Sequence, residues 1–175
     1  MKKLLLGLVV SLCLLSCGKT DNKSAEAGKN GKVEKLKVAA TPIPAGELLK
    51  LVKDDLLKEG VDMEIVEFND YVQPDKALQD KSVDANLFQH KPYMENFGKK
   101  NGFEMTAVGS LYLPTLSMYS DKVKSVDELK NGATIIVPND PTNLARALLI
   151  MDKKGIIKVK NNKDFGTKLT DIVEN

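Results

Sequence analysis

The chain has 175 residues, with 26 Lys or Arg, 24 Asp or Glu, one His and two Cys. Lys2 and Lys3 account for its formal charge of +2, so the remainder is near neutral and lacks the basic surface expected of a nucleic-acid-binding protein. Both cysteines, Cys13 and Cys17, lie at the start. Beyond them there is no disulfide framework, thiol nucleophile or thiolate metal site, and His90 has no second His or Cys with which to share a zinc ion.

The chain opens with Met1-Lys2-Lys3, followed by an apolar run over 4–15. A positive n-region and an apolar h-region form a secretory signal, too short for a permanent membrane helix of about 20 residues. The run ends in Leu14-Leu15-Ser16-Cys17. Small Ser16 admits a peptidase and the Cys17 thiol is placed to take a lipid, which predicts cleavage before Cys17 and membrane attachment through it. Bulky Leu12 makes Cys13 the poorer candidate, and the competing reading is a plain secretory signal with an incidental cysteine. Residues 1–16 are thus read as a signal peptide. Residues 17–35 are polar, small and charged, and form a flexible tether that cannot bury a core.

The body from residue 36 to 175 is about 140 residues, a single-domain length. The run 36–40 reads as a strand, broken by Thr41-Pro42-Ile43-Pro44. Ala45, Leu48, Leu49, Val52 and Leu56 then repeat on one helical face, which Gly60 ends. Val61, Met63 and Ile65 alternate as a strand; a short helix follows Pro74; Val83, Ala85 and Leu87 alternate as another strand. Residues 91–100 read as a helix and 103–113 as extended. Ser125 and Glu128 form a capping box for a helix closed by Asn131-Gly132. The run 133–137 reads as a compact buried strand. Asp140 caps a helix with Pro141 in its first turn, Leu144, Ala147, Leu148 and Met151 on its core face, and Gly155 as its stop. Alternating strands and helices predict an α/β fold with a mostly parallel sheet.

Two stretches carry candidate chemistry. Residues 138–146 follow a strand and open a helix, where unpaired N–H groups and the dipole favour anions. Asn143 and Arg146 stand three apart on one face, and a guanidinium holds a carboxylate through two parallel bonds. Spacing alone serves an anion grip and an ordinary surface arginine equally well. The second stretch, 86–93, lies at a strand's C-terminal end, where α/β sheets bind ligands. Phe88, His90 and Tyr93, with Tyr71 at the end of the preceding strand, offer aromatic walls suited to an apolar or thioether side chain. The same aromatics would also serve as core. No nucleophile or partner acid accompanies His90, so the pattern points to binding and not to catalysis.

The segments FNDYVQP (68–74), DANLFQHKPYMENF (84–97) and VPNDPTNLARALL (137–149), behind the Cys17 signal, resemble the methionine-binding lipoproteins of the NlpA family. The resemblance implies a two-lobed, periplasmic-binding-protein-like α/β fold, with one lobe over 36–113, a crossover at 114–120 and a partial second lobe over 121–175. It implies that Arg146 holds a ligand carboxylate with Asn143 beside it. Tyr71, Phe88, His90 and Tyr93 would line the side-chain pocket. It further implies a lipid-anchored, extracytoplasmic binding protein that delivers methionine or a close analogue to an ABC permease and its ATPase, with no cofactor and no covalent change. Family members continue well past the point where this sequence stops. Residues 169–175 resemble the middle of the second lobe, so the expectation is a truncated or split product with an incomplete second lobe. The competing function is a surface lipoprotein, an adhesin, antigen or remnant, that keeps the anchor and needs no pocket.

Overall fold

The computed structural model describes residues 32–160 and 164–175. The expected signal peptide, Cys17 and most of the expected tether lie outside the described residues. The tether's expected end at residue 35 shifts: strand β1 runs Glu34–Ala40, because Glu34 and Lys35 already pair with Val61 and Asp62.

β1 is central in a three-stranded sheet of order β2-β1-β3, with β2 over Val61–Glu67 and β3 over Ala85–Leu87. Both pairings are parallel, Val38 lying opposite Ile65 on one side and Ala85 on the other. Parallel neighbours need a crossover, normally helical. Helix α1 (Glu47–Lys58) supplies the first and α2 (Gln73–Gln79) the second. Because β1 is covered from both sides, Val38, Ala39 and Ala40 are buried, and Ala39 packs with Ala77 and Val83 under Val66, Phe68 and Leu78.

The first helix is less well covered than its periodicity predicts. Val52, expected on the core face, is 45% exposed, since a three-stranded sheet is too narrow to cover the whole apolar stripe. The β1–α1 connection is tight. A Cβ on Gly46 would stand 2.9 Å from Glu67 Oε1 and 3.2 Å from the Thr41 carbonyl oxygen.

α3 (Lys91–Asn101) starts at His90 and ends at Gly102 in the left-handed conformation. The chain from 103 to 120 then carries no regular structure, against the extended element expected over 103–113. Val108, Leu111 and Leu113 are largely exposed there, and among the described residues no strand pairs with them. An extended segment becomes a strand only when a neighbour takes its N–H and C=O groups.

Two further expectations are corrected for related reasons. The helix after Ser125 is a single 3-10 turn, Val126–Glu128. Glu128 Oε2 does accept from the Lys124 N–H at 3.0 Å, but Ser125 makes no side-chain cap. A segment with only Val126 and Leu129 to bury cannot offset helix nucleation. The expected buried strand over 133–137 is unpaired among the described residues: Ile135 and Val137 pack inward while Ile136 is 95% exposed.

A second core forms around α4 (Pro141–Lys153). Leu148, Met151 and Val159 are buried there, with Leu144, Ile157 and Ile172 packed against them. Full burial of side chains such as Leu148 and Met151 stabilises by roughly 1.5–3 kcal/mol each. A short antiparallel pair, β4 (Lys158–Val159) and β5 (Ile172–Glu174), closes this unit.

Candidate functional site

A cavity of about 340 Å³ opens between the ends of the parallel strands and the start of α4, within the range of small-ligand pockets. Tyr71, Phe88, His90, Tyr93, Asn143 and Arg146 all line it. The structure therefore brings the two sequence stretches to one cleft, an aromatic wall on one and a guanidinium on the other.

The wall is a cluster centred on Tyr93. Phe88 and Tyr71 lie 5.9 Å and 6.1 Å from its ring, both edge-on at 75°. Tyr71 and Phe88 are 5.9 Å apart, and Phe97 stacks behind Tyr93 at 6.3 Å. Edge-to-face aromatic pairs add to their area burial by about 0.5–1.5 kcal/mol. Tyr71 is held by the turn before α2, where Asp70 Oδ1 accepts from the N–H groups of Val72 and Gln73 at 2.7 and 2.8 Å. The Tyr93 hydroxyl donates to the Tyr71 carbonyl oxygen at 2.7 Å. Burial, and then the carboxylates of Asp75, Asp140 and Asp70, push the Tyr93 phenol up to about 12, so the proton that makes this bond is retained.

His90 caps α3. Its Nδ1 accepts from the Tyr93 N–H at 3.2 Å, which places the ring proton on Nε2. That Nε2 is buried and has no partner among the described residues. The ring also lies 6.4 Å from Tyr93, so His90 joins the wall as a cap and as an aromatic face.

Across the cleft, Asp140 organises the start of α4. Its Oδ1 accepts from the Asn143 N–H at 2.9 Å and from Thr142 Oγ1 at 2.9 Å, and its Oδ2 accepts from Asn143 Nδ2 at 3.0 Å. The helix end, expected to offer a free N–H to an anion, thus has its positive pole answered by its own cap. The anion-binding capacity rests on Arg146. Its Nη1 donates to Asn143 Oδ1 at 2.8 Å and its Nη2 to the Pro114 carbonyl oxygen at 2.9 Å. An arginine bonded from both sides is a positioned one, unlike the free surface arginine that the spacing also allowed.

Several cleft residues have no counterpart in the sequence reading. Thr41, Ile43, Pro44, Tyr112 and Leu116 join the lining, brought there by tertiary packing. Behind the aromatic wall, Asp75 is fully buried. Its Oδ1 accepts from Asn86 Nδ2 at 2.8 Å and from Gln89 Nε2 at 2.6 Å. Burial raises its carboxyl above the usual range, and those two bonds partly oppose the rise.

Two packed α/β units thus share a cleft that sets a fixed guanidinium against an aromatic wall. A sequence model of the NlpA lipoprotein family matches residues 36–175, and the chain belongs to that family. It is 43% identical over 168 residues to the D-methionine-binding lipoprotein MetQ of Escherichia coli (strain K12), covering 96% of this chain and 59% of that protein. It is 41% identical over 150 residues to Outer membrane lipoprotein 3 of Mannheimia haemolytica, covering 83% and 56%. Among solved structures, an ABC transporter periplasmic substrate-binding protein from Coxiella burnetii matches with a TM-score of 0.75 at 35% identity, over 80% of this chain and 59% of that one. Immunogenic lipoprotein A from Vibrio vulnificus matches with a TM-score of 0.76 at 38% identity, over 80% and 61%. The chain spans about three-fifths of the length of these relatives.

Proposed function

We propose that this chain is the extracytoplasmic binding component of an ABC importer, taking methionine or a close analogue in the cleft and handing it to a permease and ATPase. Arg146 holds the ligand carboxylate, with Asn143 setting the guanidinium plane. Tyr71, Phe88, His90 and Tyr93 enclose the thioether side chain, whose polarizable sulfur suits aromatic contact. The crossover at 114–120 acts as the hinge on which the two units close. A lipid on Cys17 holds the protein to the membrane. Its role is to bind and deliver, with no covalent change to the ligand.

The observation that carries this reading is the single cleft shared by Arg146 and the four aromatic side chains. The names of the Escherichia coli and Coxiella burnetii relatives supply the ligand class and the importer. The second reading is a surface lipoprotein without a transport role; the Mannheimia haemolytica relative is named an outer membrane lipoprotein and the Vibrio vulnificus one an immunogenic lipoprotein. A ligand panel on the full chain in detergent separates the two. Methionine should bind, methioninol should bind far more weakly because it lacks the carboxylate, and leucine should bind more weakly than methionine. Equal weak response to all three would leave the surface-lipoprotein reading.

A further inference from the structure

Part of the aromatic wall is carried by the short connection between β3 and α3. β3 ends at Leu87 and His90 caps α3, its carbonyl oxygen accepting from the Met94 N–H at 3.1 Å, so Phe88 and Gln89 lie between the two elements. Phe88 and His90 nevertheless stand at defined distances from Tyr93. Gln89, between them, turns its amide to a buried polar cluster: Nε2 donates to Asp75 Oδ1 at 2.6 Å and to Asn86 Oδ1 at 3.3 Å, and lies 3.7 Å from Met105 Sδ. Asn86 Nδ2 in turn donates to the same Asp75 oxygen and to the Pro74 carbonyl.

From this arrangement we infer that Asp75 is a positioning residue for ligand recognition: its buried carboxyl clamps the side-chain amides of Asn86 and Gln89 and thereby fixes Phe88 and His90 in the cleft wall. This inference rests on the cleft being the ligand site. The clamp takes the place of a strand ladder at Phe88 and Gln89, which lie beyond the end of β3. One oxygen receives both amides, and a shared acceptor couples the end of β3 to the turn that follows it. The other carboxyl oxygen, Oδ2, is buried without a partner among the described residues, so the clamp uses Oδ1 alone. An amide in place of the carboxyl keeps that oxygen, whereas a methyl group removes it and strands two buried N–H donors.

The experiment uses the full chain in detergent with variants Asp75→Asn, Asp75→Ala and, as a control, Met63→Ala. Met63 is buried in the first half of β2, toward the end of the sheet away from the cleft. Two readouts are taken: ring resonances of Phe88 and His90 without ligand, and methionine affinity. Asp75→Ala should move the ring resonances and weaken binding by about tenfold, the loss of one buried hydrogen-bonded group. Asp75→Asn should restore both, and Met63→Ala should alter neither. Asn86→Ala, which removes one arm of the clamp, should move the same resonances less than Asp75→Ala and serves if that variant fails to fold. Unmoved ring resonances in a folded Asp75→Ala or, failing that, in Asn86→Ala, or equal effects from Met63→Ala, would overturn the clamp. Absence of methionine binding by the unsubstituted chain would instead count against the ligand assignment, while the ligand-free resonances still decide on the clamp.

Discussion

Arg146 Nη2 donates to the carbonyl oxygen of Pro114 at 2.9 Å, tying the helix that bears the guanidinium to the stretch that leaves the first α/β unit. The same side chain is gripped by Asn143 Oδ1, so its plane is set before any ligand arrives. Preorganisation of this kind lowers the ordering cost of binding. Arg146→Ala should therefore lose about ten- to a hundredfold in methionine affinity, the range of one to two charge-assisted bonds. Arg146→Lys should recover little of it, because an ammonium lacks the planar fork. Calorimetric comparison of the three chains checks both statements, and an Arg146→Lys chain that binds like the original would contradict them.

Asp140 acts on ligand binding one step removed. It caps α4 and fixes Asn143, which in turn aligns Arg146. Asp140→Ala should cost about 1 kcal/mol of stability as a lost helix cap, and should also weaken methionine binding through a misaligned guanidinium. Asp140→Asn or Asp140→Ser, which still cap, should restore most of the stability in thermal unfolding. Neither variant keeps the second oxygen that accepts from Asn143 Nδ2, since serine has a single hydroxyl and asparagine places an NH2 donor there, so both should recover less of the affinity than of the stability.

Tyr93 and Tyr71 give a spectroscopic handle on the wall. The Tyr93 phenol is held up to about 12 by burial and nearby carboxylates. Tyr93→Phe should remove one late ionisation from an alkaline ultraviolet titration. It should also cost about 1 kcal/mol for the lost bond to the Tyr71 carbonyl. Unchanged late ionisation in this variant would show that the shifted phenol is another residue.

The raised carboxyl of Asp75 makes a signed prediction for acid stability. The unfolded side chain ionises near the ordinary aspartate value, about 3.9, while the buried one ionises at higher pH. Between those points the folded state binds more protons than the unfolded state, so this group's contribution falls as pH rises. It is fully present below the unfolded value and is lost through the folded one. Asp75→Asn removes this dependence. Its melting temperature relative to the unsubstituted chain should rise as pH is raised from about 4. A difference that stays constant with pH would mean Asp75 is charged in both states alike.

The sequence was most informative where structure is local. The alternation of 61–65, the cap at Asp140 and the stop at Gly60 depend on neighbours within a turn or two, and each is visible in residue type. The segments 103–113 and 133–137 pair into no strand among the described residues, because strand formation depends on a partner that local sequence does not name. The cleft followed the same division. Tyr71, Phe88, His90, Tyr93, Asn143 and Arg146 sit in three short segments whose spacing put them near strand ends and a helix start. Asp75 was illegible: in Gln73-Pro74-Asp75-Lys76 it looks like an ordinary acidic residue in a helix's first turn. Only the fold places it under Asn86 and Gln89. The one available signal was the pair of amides three apart at the end of β3, which need an acceptor once buried.

The most direct test of the central claim is a calorimetric titration of the full chain in detergent with L-methionine, after removal of any co-purified ligand and with folding checked by circular dichroism. Saturable one-to-one heat that is largely lost in Arg146→Ala is the expected result. A folded chain that gives no heat, or one whose binding is indifferent to Arg146, would contradict it.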